Sequence, residues 1–146
     1  ILIQGARILK LPILWLEQYP EGLGPTIPEV AELLEDQQPL AKLCFSACGQ
    51  QDFQEKLRAS GCRQILLAGI ESHVCVYQTA RDLLDQGLHV EVVRDAVSSR
   101  TPENRQIGLD KMNRAGAEIT SVEMVLFELL REAGTPRFKE IARLVK

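Results

Sequence analysis

Histidine, cysteine and long apolar runs are all scarce in this chain. It holds 2 histidines and 4 cysteines. That supply argues against a zinc-built scaffold: Cys44 and Cys48 form one close pair, no second pair completes a tetrahedral set, and His73 and His89 stand apart. No metal and no cofactor is expected. A disulfide framework is excluded on similar grounds, since a chain long enough to bury its own core has no need of one. No apolar run approaches the roughly 20 residues of a membrane span, because Pro12, Gly69 and charged side chains break each stretch. Nothing at the start reads as a secretory leader, so a soluble, cytoplasmic protein is expected. A strong excess of either charge is also lacking. The net charge is −3, which gives no footing for nucleic acid or an anionic membrane and leaves small molecules and proteins as partners.

What is present describes one globular domain over residues 1–146. A hydrophobic fraction of 45% and a charged fraction of 25% are ordinary for a soluble fold, and 146 residues bury roughly two thirds of their unfolded surface. The chain opens with Ile1-Leu2-Ile3-Gln4-Gly5-Ala6-Arg7-Ile8-Leu9-Lys10, apolar at helical spacing with no capping residue. It reads as starting within a helix, and a strand upstream of Ile1 is expected to be missing.

The order of elements is an α/β alternation. Leu11 to Leu16 is a short continuous apolar run, the pattern of a strand buried on both faces, with Pro12 near its start. Glu17 to Thr26 reads as a long loop, and Ile27 to Leu34 as a short helix capped by Thr26. Leu40 to Phe45 has an ambiguous pattern, of which a short extended segment is one reading. A helix over Asp52 to Ser60 stops at Gly61, and Gln64 to Ile70 is the clearest buried strand. A helix over Val74 to Gln86, a strand over Leu88 to Val93 and a helix over Glu103 to Ala115 follow. Glu118 to Thr120 is a short strand, and helices over Val122 to Glu132 and from Thr135-Pro136 to Lys146 close the chain. Strands alternating with helices imply a parallel sheet covered on both faces.

Cys75 stands where strand Gln64–Ile70 runs through a short polar turn into a helix. A thiol there meets unpaired backbone N–H groups and the positive end of the helix dipole, both of which favour thiolate. Against this stands the common role of free cysteine as a small buried hydrophobe. Ser72 is a rival nucleophile without a base, because its neighbour His73 need not face it. Lys42, in the apolar stretch Leu40 to Phe45, either is a solvated lysine or points into the cleft and stabilises the thiolate. Glu17 and Tyr19 at the end of the first strand, and Phe45, are candidate pocket residues. Asp95, at the end of the strand Leu88 to Val93, opens a polar loop through Ser98, Ser99 and Arg100.

These segments carry a family resemblance. Ala41-Lys42-Leu43-Cys44-Phe45-Ser46, then Leu67-Ala68-Gly69-Ile70-Glu71-Ser72-His73-Val74-Cys75-Val76, then Thr79-Ala80-Arg81-Asp82-Leu83 resemble the isochorismatase-like cysteine hydrolases. Glu17-Gln18-Tyr19-Pro20, Asp95 to Arg100 and Pro136 to Ile141 are similar to the isochorismatase domain-containing branch. The resemblance implies a three-layer α/β/α sandwich, Rossmann-like, with a mostly parallel sheet. It implies an Asp–Lys–Cys triad in which Lys42 and Cys75 match two members. The aspartate belongs to an Asp-x-Gln segment on the family's first strand, which the strand read over Leu11 to Leu16 does not carry; it is expected upstream of Ile1. A cis peptide joining Ile70 and Glu71, and an oxyanion hole made by the N–H groups of Glu71 and Cys75, are implied with it. The expected activity is hydrolysis of a small amide or related C–N bond through a covalent thioester. The alternative is a catalytically silent protein that keeps the fold as a binding module. No histidine matches the metal site of the related nicotinamidases, and a homo-oligomer is expected.

Overall fold

A computed structural model describes all of residues 1–146. Helix α1 (Leu2–Leu9) is followed by strand β1 (Leu16–Gln18), helices α2 (Pro20–Leu23) and α3 (Pro28–Ala31), and strand β2 (Leu40–Lys42). Helix α4 (Gln51–Ser60), strand β3 (Gln64–Ile70), helix α5 (Tyr77–Asp85) and strand β4 (His89–Ser98) form the middle of the chain. Helix α6 (Pro102–Arg114), strand β5 (Glu118–Thr120), and helices α7 (Val122–Leu130) and α8 (Pro136–Leu144) complete it. The fold is a three-layer α/β/α sandwich in which every strand pairing is parallel. The pairings form two separate ladders, β1 with β2 and β3–β4–β5, where the sequence suggested a single sheet.

Alternation along β3 and β4 sorts the two helical layers. Ile65, Leu67, Val90 and Val92 point to one face, where they pack with Phe53 and Leu57 of α4, Leu83 of α5, and Leu109 and Met112 of α6. Leu66 points to the other, against Val125 and Leu126 of α7, Ile141 of α8 and Leu2 of α1. Leu83 and Met112 are fully buried, and each such side chain contributes about 1.5–3 kcal/mol by leaving water. Side-chain caps set helix starts, with Gln50 on α4, Thr101 on α6, Ser121 on α7 and Thr135 on α8. Gly61, at φ 66°, ends α4 in the left-handed conformation that glycine adopts without a steric penalty.

Several boundaries differ from those read in the sequence. The strand expected over Leu11 to Leu16 is instead Leu16–Gln18, because only these residues lie in register with Leu40–Lys42. Hydrophobicity marked a segment that is partly buried but has no ladder partner. The loop expected from Glu17 to Thr26 therefore begins later and contains α2. Thr26 does not cap α3, whose N-cap is Ile27; its hydroxyl accepts from Trp15 Nε1 at 2.7 Å. The helix expected from Val74 starts at Tyr77, after a π-helical turn over Ser72–Val76.

Strand β4 runs on to Ser98, well past Val93. Leu67 pairs with Val92 but Gly69 pairs with Val97, so β4 carries a bulge at this point. Asp95 accordingly lies within the strand rather than opening a loop, and its carboxylate accepts the Val122 N–H at 2.8 Å, at the start of α7. The bulge has a consequence for the site. It carries Ser99 and Arg100 to the turn that follows β3.

Candidate active site

Cys75 is half-buried in the turn that leaves the carboxyl edge of β3. The Ile70–Glu71 peptide before that turn is cis. Inside the turn, the amides of Val74 and Val76 both donate to the Glu71 carbonyl, at 3.1 and 3.2 Å. Single π-helical turns of this kind are rare and gather at functional sites.

Consecutive residues beyond β4 grip the turn. The Ser99 hydroxyl accepts the Ser72 N–H at 3.1 Å, lies 2.6 Å from the Ser72 hydroxyl and 3.1 Å from His73 Nδ1. Arg100 holds the Glu71 carboxylate through its backbone N–H and its guanidinium, with contacts between 2.9 and 3.2 Å. These bonds keep the Glu71 carboxyl below the usual glutamate range, the Arg100 guanidinium being the largest cause. Ser72 is fully buried and its hydroxyl is engaged by Ser99, so the rival nucleophile serves to anchor the turn.

The other wall is built by β1 and β2. Register sets Gln18 directly beside Lys42, and the Lys42 side chain is buried, at 8% exposure. Its Nζ donates to Gln18 Oε1, to the Cys44 carbonyl at 3.1 Å and to the Phe45 carbonyl at 2.8 Å. Cys75 Sγ donates to the same Gln18 Oε1 at 3.7 Å. The loop after β2 is tied back to α5, where Ser46 Oγ donates to Asp82 at 2.5 Å and the Ala47 N–H donates to Thr79 Oγ1 at 2.9 Å. Thus α5 both follows Cys75 and fixes the loop whose carbonyls hold Lys42.

The structure therefore brings Cys75 and Lys42 together through Gln18, a residue the sequence reading left inside a motif and assigned no role. A search for charged or nucleophilic side chains passes over a neutral amide, although its place at a strand end beside Glu17 was a usable signal. Glu17 turns to another task, its carboxylate accepting the Thr26 N–H at 2.7 Å. Tyr19 donates its N–H to the Lys42 carbonyl at 2.9 Å and leaves its ring half exposed. Phe45 holds Lys42 with its carbonyl while its side chain faces solvent.

Cys44, Cys48 and Cys62 are free thiols, and burial pushes the Cys48 thiol up. Among His, Cys, Asp and Glu side chains, no group of three or more is gathered so as to hold a metal ion. Two surface cavities, of about 390 and 290 Å³, lie away from Cys75: one is flanked by Arg7 and Asp36, the other by Arg58 and Cys62. The chemistry at Cys75, not cavity size, marks this site. No helix is long and apolar enough to cross a membrane.

The architecture is a three-layer α/β/α sandwich with a cysteine at the turn that leaves the carboxyl edge of β3. Residues 1–124 match the isochorismatase domain, and the chain belongs to that family. It is 43% identical over 147 residues to isochorismatase domain-containing protein 2 of Macaca fascicularis, covering 99% of this chain and 69% of the relative. A structure described as MAR1 ribonuclease from Caenorhabditis elegans superposes with a TM-score of 0.91 at 42% identity, covering 99% of this chain and 74% of that one. YcaC from Pseudomonas aeruginosa, with hexane-2,5-diol and covalent acrylamide, gives a TM-score of 0.88 at 29% identity, covering 96% and 71%. The YcaC gene product of Escherichia coli, an octameric hydrolase of unknown specificity, gives 0.83 at 30% identity, covering 90% and 66%.

Proposed function

We propose that the protein is a cysteine-dependent hydrolase of a small amide or related C–N substrate. The observation that carries this reading is the meeting of the Cys75 thiol and the buried Lys42 ammonium on one oxygen of Gln18. In this reading the Cys75 thiolate attacks the substrate carbonyl carbon, and the N–H groups of Glu71 and Cys75 receive the charge on the oxygen. The amine then leaves with a proton, and water hydrolyses the thioester, releasing the acid and regenerating the thiol. Lys42 supplies a positive charge that favours the thiolate. Within residues 1–146 no carboxylate is hydrogen-bonded to Cys75 Sγ, so the proton acceptor is assigned to no residue of this segment. Covalent acrylamide on the related YcaC supports reactivity toward electrophiles in this fold. The octameric relative supports a homo-oligomer, and a cytoplasmic location is proposed with it.

The test is to treat the protein with acrylamide at neutral pH and map the adducts by mass spectrometry. Cys75 should be modified before Cys44, Cys48 and Cys62, and a Cys75→Ala variant should release no ammonia from a panel of small primary amides that the wild type hydrolyses. Equal labelling of all four thiols would sink the enzyme reading in favour of a silent binding protein. A second reading, RNA cleavage, rests on the 42% identity to the structure described as a ribonuclease. Cleavage of a labelled single-stranded RNA that survives Cys75→Ala would favour it over amide hydrolysis.

A further inference from the structure

Resting on that reading, in which the Glu71 and Cys75 N–H groups receive the charge on the substrate oxygen, we infer that Arg100 is a positioning residue: it clamps Glu71 and cancels its charge beside the forming oxyanion.

Glu71 carries a carboxylate on the same residue as one of the two N–H donors. Only the length of its own side chain separates them, so a free carboxylate would oppose negative charge gathering at that N–H. The Arg100 guanidinium keeps the Glu71 carboxyl below the usual glutamate range, so the group is ionised at neutral pH. A cation fixed on it removes the conflict.

Arg100 meets the carboxylate as a fork. Its Nε reaches the two oxygens at 3.0 and 3.2 Å, its Nη2 donates to Oε2 at 2.9 Å, and its backbone N–H donates to Oε1 at 3.0 Å. A planar guanidinium matches a carboxylate in this way and a lysine does not. At the other end of the residue, the Glu71 carbonyl accepts the Val74 and Val76 N–H groups. Held by side chain and carbonyl together, Glu71 has little freedom to swing its N–H. His73 Nε2 lies 4.0 Å from the same carboxylate, beyond hydrogen-bond distance.

Folding stability does not account for this arrangement. The Arg100 side chain is 73% exposed, and an ion pair so open to water adds little to stability. Its placement is nonetheless tightly built: the bulge in β4 brings Arg100 to the turn, and Arg105 of α6 holds the bulged segment by donating to the Val97 carbonyl at 2.9 Å. Every group in the clamp lies within residues 1–146, whichever base takes the thiol proton.

The experiment compares two reactions of Cys75 in the protein. With p-nitrophenyl acetate the sulfur bonds to the carbonyl carbon, the oxygen bears the charge, and p-nitrophenolate leaves, giving acetyl-Cys75. With iodoacetamide the sulfur displaces iodide from a methylene carbon, and no such oxyanion forms. Both need the same thiolate, so the ratio of the two rate constants cancels its abundance. Each adduct is followed on the Cys75 peptide by mass spectrometry after acid quench. Arg100→Met should lower the ratio of acylation to alkylation about tenfold. Adding Glu71→Gln to Arg100→Met removes the uncompensated charge and should recover most of the loss. A ratio that stays at the wild-type value in Arg100→Met overturns the inference. So does a lowered ratio that Glu71→Gln fails to lift, the mark of a merely structural role. Arg100→Gln should follow Arg100→Met and serves where methionine prevents folding. Wild-type protein that iodoacetamide alkylates at Cys75 but p-nitrophenyl acetate does not acylate would defeat the hydrolase reading itself, whereas acylation with unmoved ratios defeats only the role of Arg100.

Discussion

Gly108 of α6 presses directly on the backbone of the turn that carries Cys75: a Cβ placed on it would fall 2.7 Å from the Ser72 carbonyl carbon and 2.8 Å from the His73 nitrogen. Backbone on both sides leaves no flexible group to yield. Gly108→Ala should therefore destabilise the protein by about 1–3 kcal/mol through overpacking. Urea unfolding measures this, and an unchanged midpoint would show that the helix can withdraw freely. Acrylamide labelling of Cys75 should slow in the same variant.

Ser99 satisfies a backbone donor at a fully buried residue. Ser99→Ala leaves the Ser72 N–H without its acceptor and His73 without its partner, which costs about 1–3 kcal/mol for an unsatisfied buried group. A lower urea midpoint with an unchanged m-value is expected. Ser99→Thr keeps the hydroxyl and should restore most of the loss.

Lys42→Met retains an apolar stem and removes the charge. The expected result is about a tenfold slower alkylation of Cys75 at neutral pH, because the charge beside the sulfur is lost. Reactivity equal to wild type would remove Lys42 from the site. Labelling of Cys62, which lies before β3 at the other end of that strand, should be unaffected and provides the internal reference.

Glu91 gives a prediction about pH. Its side chain is 15% exposed, and burial, followed by the charge of Glu128, holds its carboxyl above the ordinary value of 4.5. His89, 3.6 Å away, opposes this in part. The folded state therefore binds the proton more tightly than the unfolded chain, and stability falls as pH rises from about 4.5 through the folded pKa. Glu91→Gln should raise the melting temperature at neutral pH, and the gain should vanish below about pH 4. A lower melting temperature at neutral pH would contradict the assignment.

Legibility differed from element to element for physical reasons. Gln64–Ile70 and Glu118–Thr120 were read at their observed bounds, the first as a continuous apolar run and the second as a short segment between turn signals. Helix α6 was read to within a residue because Thr101-Pro102 marks its start. Strand β1 was misplaced because pairing follows register with Leu40–Lys42, and register is a property of two segments at once. The extension of β4 was missed because its bulge carries polar residues through a strand, and the pattern there resembles a loop.

Composition, periodicity and the segments around Lys42 and Cys75 determined the α/β class, the family and the position of a thiol at a strand-to-helix turn, since each is written in local residue order. Which groups meet that thiol was decided by tertiary structure alone. Gln18 lies far from Cys75 in sequence and carries no charge, and only the parallel pairing of β1 with β2 sets it between Lys42 and the sulfur. Ser99 and Arg100 reach Glu71 and Ser72 only because β4 is bulged. Hydrogen bonds are short-ranged and directional, so local sequence specifies the donors and acceptors while the packing of distant strands selects which of them form pairs.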